Sequence, residues 1–197
     1  MKVTLIRHGE TEWNASHHYQ GVTDTPLSDR GKEQAAAITG TLPTPDLLFV
    51  SPLGRARSTA AIIYPDVEQI VIDDLHEWNF GVFEGHTRFD LEDDPDYQAW
   101  VASKATGRIP GGESLAQMYS RVAPAFRSAL AQAADANLVS IVTHGGVIMG
   151  ILETYATNAP AQPLVENCAP LECTWDGSHL TLHSPFVRQT GYRLPNE

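Results

Sequence analysis

Hydrophobic residues fall along this chain in short, partly β-branched runs separated by stretches with helical spacing. Val3 to Arg7 is the first run, almost at the start of the chain. Leu47-Leu48-Phe49-Val50 is the second, closed by Ser51-Pro52; Ile70-Val71-Ile72 is the third and Leu138 to Val142 the fourth. Runs of this length and composition predict buried strands. Between them, Ser28 reads as the N-cap of a helix through Glu33, Gln34 and Ala35-Ala36-Ala37 to a stop at Gly40. A second helix is predicted from about Leu53 to Ile63, ended by Pro65. Leu115, Met118, Val122, Phe126 and Leu130 recur at spacings of three and four, the core-facing stripe of a long helix from Ser114 to about Ala134. Pro124 inside it is placed to kink it. Val147 to Thr154 reads as an apolar helix, and two weaker strands follow, near Cys173 and from Leu180 to His183. The tail from Pro185 is expected to pack loosely.

Strands alternating with helices predict an α/β fold, a three-layer α/β/α sandwich with a mostly parallel central sheet. The stretch from Phe89 to Pro110 breaks the pattern. It carries Asp90, Glu92, Asp93, Asp94 and Asp96, then a short helix around Tyr97 to Ser103, then glycine and proline. It reads as a cap-like insertion, about 86–112, on one domain spanning 1–197. A chain of 197 residues suits one α/β domain with a substantial core.

Charge narrows the partners. The net charge is −11, from 13 Lys plus Arg against 24 Asp plus Glu. Such a surface repels nucleic acid and anionic lipid, so neither is expected as a partner. A phosphorylated ligand would need a local basic pocket set in that surface. Met1-Lys2-Val3-Thr4-Leu5-Ile6 is too short for the apolar core of a signal peptide, and no later stretch approaches ~20 apolar residues. A cytoplasmic location is expected, with Cys168 and Cys173 as reduced core thiols. The weak strands near the C-terminus leave monomer and homodimer both open.

Two strands end in the same way, Ile6-Arg7-His8-Gly9 and Val142-Thr143-His144-Gly145. In open α/β sheets ligands gather at the carboxyl ends of strands. A glycine there lets a bound group approach the backbone. The helix after His144 would point its free N–H groups and positive dipole end at the same mouth, which favours an anion. The second strand feeds Ser51-Pro52-Leu53-Gly54-Arg55-Ala56-Arg57, delivering guanidinium groups suited to phosphate. His17, His18, His86, His179 and His183 lack a patterned neighbourhood, and no metal site is expected among them.

These segments resemble the signatures of the histidine phosphatase superfamily, the phosphoglycerate mutase-like proteins. Arg7-His8-Gly9-Glu10-Thr11 with Asn14 is similar to the first signature, Ser51-Pro52-Leu53-Gly54-Arg55-Ala56 to the second, and Thr143-His144-Gly145-Gly146 to the third. Leu75-His76-Glu77, with Phe80-Gly81 and Phe83-Glu84-Gly85, resembles the segment carrying the family's acid; Pro110-Gly111-Gly112-Glu113-Ser114 resembles the motif before its long helix. The resemblance implies a phosphoglycerate mutase-like fold and a metal-independent phosphatase without cofactor. His8 would become a phosphohistidine, cradled by Arg7, Arg55 and His144. Glu77 would be the acid, with Glu84 its competitor. Asn14, Gln20, Gly21, Thr23 and Gly145 would line the substrate pocket, while Glu10 and Thr11 order the loop. Arg57 matches no fixed position of the family and reads as a solvated charge.

The implied partner is a small phosphorylated metabolite. Four activities fit the resemblance: a phosphatase for small phosphomonoesters, a 2,3-bisphosphoglycerate-dependent mutase, an α-ribazole phosphatase, and a non-catalytic module that binds phosphorylated partners. In the mutases the position after the acid is basic. Here it is Trp78, and the cap-like insertion is acidic, with only Arg88, Lys104 and Arg108 as cations. Hydrolysis is therefore expected over isomerisation. The presence of both His8 and Glu77 speaks against the non-catalytic module.

Overall fold

The computed structural model describes residues 1–160 and 165–183. In chain order it contains β1 (Lys2–Arg7), α1 (Glu12–Ala15), α2 (Asp29–Ile38), β2 (Leu47–Val50), α3 (Gly54–Ile63) and β3 (Gln69–Val71). Then follow 3-10 turns at Asp73–Leu75 and Gly81–Phe83, α4 (Pro95–Ala102), α5 (Leu115–Gln132), β4 (Leu138–Thr143), α6 (Gly145–Tyr155), β5 (Pro170–Trp175) and β6 (Leu180–Leu182). The strands make one sheet in the order β3-β2-β4-β1-β5-β6. The first four in that order run parallel to their neighbours; β5 and β6 are antiparallel.

The layers follow from the two-residue period of a strand. Ile6, Leu48, Val50 and Val142 turn to one face and pack with Ala35 of α2 and Ala56, Ala60 and Ile63 of α3. Val3, Leu5, Phe49, Val139 and Ile141 turn to the other, with Met118, Val122 and Phe126 of α5 and Val147, Ile148 and Ile151 of α6. The three-layer sandwich is the expected one.

Local starts and stops obey capping chemistry. Ser28 Oγ accepts from Gly31 N at 3.0 Å, and Ser114 forms a capping box with Gln117 at the head of α5. Pro124 lies on the exposed side of α5, where the helix continues through it to Gln132. Some details differ from expectation. The third strand sits one residue earlier, α6 begins at Gly145 rather than Val147, and neither α1 nor the 3-10 turns were predicted. β5 is a full partner of β1, from Lys2↔Thr174 to Ile6↔Pro170. Its signal was faint because Glu172 and Thr174 face outward between buried Leu171, Cys173 and Trp175.

The segment after Glu84 is anchored by aromatic rings. Tyr97 and Trp100 of α4 meet Tyr19, Trp78, Phe80 and Phe83, with ring centroids between 5.4 and 6.3 Å apart. Cys168 and Cys173 are free and buried, and burial pushes both thiols up to about 12. Among the described residues no helix is long and apolar enough to cross a membrane. The tail from Pro185 lies outside the described residues.

Phe126 is fully buried and meets the rings of Tyr155 and Trp175 at 5.4 and 5.6 Å. Phe126→Ala is expected to destabilise the fold by about 3–5 kcal/mol, read as a lower midpoint in urea unfolding.

Candidate active site

Sheet register brings the two strand-end histidines together. Arg7 of β1 pairs with Thr143 of β4, so the next residues, His8 and His144, leave the sheet side by side. Their rings meet edge to face with centroids 5.1 Å apart. Val50 of β2 pairs with Val142, which brings Ser51 beside His144. Both histidines are buried, as is Arg55 in the first turn of α3.

The hydrogen bonds fix the proton of His8 and constrain that of His144. His8 Nδ1 lies 2.7 Å from Gly9 O, a carbonyl that can only accept, so Nδ1 carries the proton. Nε2 is then a bare lone pair, and Arg55 Nε donates toward it at 3.3 Å. Ser51 Oγ accepts from Leu53 N at 3.3 Å and lies 2.6 Å from His144 Nε2. With the hydroxyl donating to Nε2, the His144 proton sits on Nδ1, a buried atom without a protein partner. An anion beside the pair would find a lone pair on one ring and a donor on the other.

Burial, then the Arg55 and Arg7 charges, hold His8 well below its ordinary value of 6.5 despite the Gly9 carbonyl. His144 is pushed down in the same order of causes, burial first and then Arg55. Arg55 itself is lowered by burial while Glu77, Asp24 and Glu84 act in the opposite sense. A guanidinium keeps its charge at neutral pH under such a shift.

Several predicted pocket residues surround Arg55 or brace its loop. Gly21 O accepts from Arg55 Nη2 at 2.6 Å and Thr23 O from Nη1 at 3.0 Å. Gln20 Oε1 accepts from Thr11 Oγ1 at 2.7 Å and Asn14 Nδ2 at 3.2 Å, while its Nε2 donates to Thr25 at 2.6 Å. Thr11 and Asn14 also close a capping box on α1. Gly145 lies over Arg7, where an added Cβ would stand at an ordinary 3.6 Å from Nε. Arg57 is exposed.

The two carboxylates of the acid segment are held differently. Glu77 is buried, with Oε1 accepting from Trp78 N at 2.8 Å and Oε2 from Gly146 N, at the head of α6, at 3.1 Å. A Cβ on Gly146 would lie 2.5 Å from Glu77 Oε1, so only glycine admits the carboxylate there. Glu84 accepts from Val22 N, Thr23 N and Phe80 N at 2.9, 2.7 and 3.0 Å. Those three donors make the Glu84 carboxylate a staple between two loops.

Other contributors gave no sequence signal. Asp24 accepts from Gly54 N, at the head of α3, and pairs with Arg55 Nη1 at 3.4 Å. Val165 O accepts from Arg7 Nη1 at 2.9 Å, Cys168 N donates to Arg7 O at 2.9 Å, and Asn167 Nδ2 donates to His8 O at 2.7 Å. Among the described residues no group of three His, Cys, Asp or Glu side chains is arranged to hold a metal ion.

The family model described as "Histidine phosphatase superfamily (branch 1)" matches residues 3–186. The chain belongs to the histidine phosphatase superfamily. A relative named "Probable phosphoglycerate mutase GpmB", from Serratia proteamaculans, is 36% identical over 169 residues, 82% of this chain and 77% of the relative. Among solved structures, the alpha-ribazole phosphatase from Shigella flexneri is similar at a TM-score of 0.82 and 29% identity, covering 98% of this chain and 100% of that one. The phosphoserine phosphatase from Entamoeba histolytica, solved with 3-phosphoglyceric acid, has a TM-score of 0.78 and 28% identity, covering 95% and 98%. Members of this superfamily carry names for both hydrolysis and phosphoryl isomerisation, and the fold is that of the phosphoglycerate mutase-like proteins.

The two buried histidines give stability a defined pH dependence. Their folded values lie below the 6.5 of the unfolded chain. As pH falls through 6.5 the unfolded chain gains protons that the folded one refuses, so stability present above that value is lost. Two such groups give a slope of up to about 2.7 kcal/mol per pH unit. Melting temperature in phosphate-free buffer is expected to drop from about pH 7 to about pH 5, and His144→Asn should flatten that drop. An unchanged slope in the variant would refute the assignment.

Proposed function

We propose that the chain is a phosphatase that hydrolyses small phosphomonoesters through a phosphohistidine on His8, without a metal ion or other cofactor. The observation that carries this reading is the His8 ring: protonated at Nδ1 against Gly9 O, it aims a bare Nε2 at the Arg55 guanidinium. A nucleophile whose lone pair faces a cation is built to meet an anion.

In the first step Nε2 attacks phosphorus and the P–O bond to the alcohol breaks. Arg7, Arg55 and His144 Nδ1–H receive the charge on the phosphoryl oxygens. Glu77, in its carboxylic acid form, gives its proton to the departing oxygen. In the second step water attacks the phosphohistidine and Glu77 takes back a proton. The N–P bond breaks, releasing inorganic phosphate and neutral His8. Proton transfer of this kind contributes about 10²–10⁴ in rate.

Hydrolysis is favoured over isomerisation by the residue after Glu77. A mutase substrate carries a second anionic group that needs a cation. Trp78 stands there, buried among aromatic rings, with its indole N–H engaged by Glu113 O at 3.0 Å. Arg88 of the acidic insertion lies over the exposed Phe89 ring at 4.6 Å. The arginine charges that lower His8 are those of Arg55 and Arg7. The mutase reading rests on the GpmB relatives, and the α-ribazole phosphatase reading on the Shigella structure.

The protein is expected to hydrolyse p-nitrophenyl phosphate in excess chelator, with His8→Ala reducing turnover to background. Acid quenching should trap an acid-labile phosphoryl group on wild type and none on His8→Ala; its absence from both would rule out the covalent route. Rapid conversion of 3-phosphoglycerate to its isomer with bisphosphoglycerate present would replace hydrolysis by the mutase reading.

A further inference from the structure

The chain between β3 and α4 that carries Glu77 has only 3-10 turns, so most of its carbonyls lack a ladder partner. Arg121, on α5, supplies one. Its Nη1 donates to Asp74 O at 2.8 Å and His76 O at 2.7 Å, and its Nη2 donates to Glu77 O at 2.9 Å. The other two N–H groups form a fork on Glu113, Nε to Oε1 at 2.8 Å and Nη2 to Oε2 at 2.9 Å. All five donors of the guanidinium are therefore in use. Glu113 holds the far side of the same segment, with Oε2 accepting from Asn79 N at 3.0 Å and its carbonyl from the Trp78 indole.

We infer that the Arg121–Glu113 pair is a positioning device that sets where the Glu77 carboxyl can deliver its proton; this rests on the proposed role of Glu77 as acid. Arg121 stands on α5 and Glu113 immediately before the helix's Ser114 cap, and both side chains are largely buried, at 13% and 19% exposure. Burial alone would push the Glu113 carboxyl up, but Arg121 and the Asn79 N–H hold it below its ordinary value, so the pair is ionised at neutral pH. On its other side the Glu77 carboxylate meets Trp78 N and Gly146 N. The backbone is thus fixed from α5 and the carboxylate from α6, and loosening either lets the acid drift. A misplacement near 1 Å costs up to about a hundredfold in such a transfer. Arg121's five hydrogen bonds go to Glu113 and to the Asp74, His76 and Glu77 carbonyls, none of them to His8, Arg7, Arg55 or His144.

The test compares two substrates in kcat/KM, which reports the chemistry up to phosphohistidine formation. 2,4-Dinitrophenyl phosphate loses a stable anion and needs no acid; phenethyl phosphate loses an alkoxide and does. Glu77→Gln serves as the reference. Arg121→Lys and Glu113→Gln are used because each keeps bulk, whereas Arg121→Ala strands the Glu113 carboxylate. Both variants are expected to lose at least about tenfold more on phenethyl phosphate than on 2,4-dinitrophenyl phosphate. Equal losses on the two substrates, or none, while Glu77→Gln shows the selective loss, would overturn the positioning role. Equal losses in Glu77→Gln itself would overturn Glu77 as acid. A variant that does not fold is replaced by the other, and selectivity must then appear in that one for the inference to stand.

Discussion

Arg55 carries a full charge into a place that water scarcely reaches, the residue only 1% exposed. Removing a guanidinium from water costs several kcal/mol unless its donors are met and opposite charge is near. Much of the site is arranged to meet that cost. Gly21 and Thr23 turn carbonyls to the guanidinium, Asp24 pairs with it, and Glu77 and Glu84 add negative potential. After burial itself, the same charge is the next cause that holds His8 below its ordinary value, and it faces the ring's lone pair.

The loops around Arg55 are consequently stapled to each other. Glu84 joins the 20–24 loop to the segment that carries Glu77, and Asp24 joins that loop to the head of α3. Glu77 then acts in two capacities. Its charge eases the burial of Arg55, and when protonated it is a proton source in the proposed reaction. These capacities oppose each other at any instant. A bound phosphate dianion would ease the conflict, since it would take over the neutralising of Arg55 and Arg7.

Sequence pattern reveals the strand ends but not their neighbours. The β-branched runs placed His8 and His144 each at the end of a strand, and the capped helices fixed the layers. What no pattern showed is that β4 lies between β1 and β2, the register that sets His8, His144 and Ser51 in one row. Strand order is a property of tertiary packing, invisible to periodicity within a run. The braces were illegible for a different reason. Asp24, Glu84, Arg121 and Asn167 sit in loops or on a helix flank, and they act through backbone groups that every residue possesses. A polar side chain bonded to a peptide leaves no compositional trace. Gly146 is the exception: a glycine in the first turn of α6 is visible in the sequence, and Glu77 Oε1 lies where its Cβ would be.

The molecule as a whole is acidic while Arg7 and Arg55 flank the two histidines, and this bears on how a phosphorylated ligand would approach. A net −11 repels a phosphate dianion at distances within a Debye length, roughly 10 Å at moderate salt. Attraction begins only where the arginines and the His144 donor act at short range, in a medium of lower dielectric than water. Encounter is therefore slowed while bound-state stabilisation is kept. A ligand with a second anionic group is repelled more strongly on approach and, beside Trp78, meets an aromatic wall instead of a cation. On the proposed phosphatase reading, surface and pocket would discriminate in the same direction, against a second anionic group and toward esters whose alcohol is neutral.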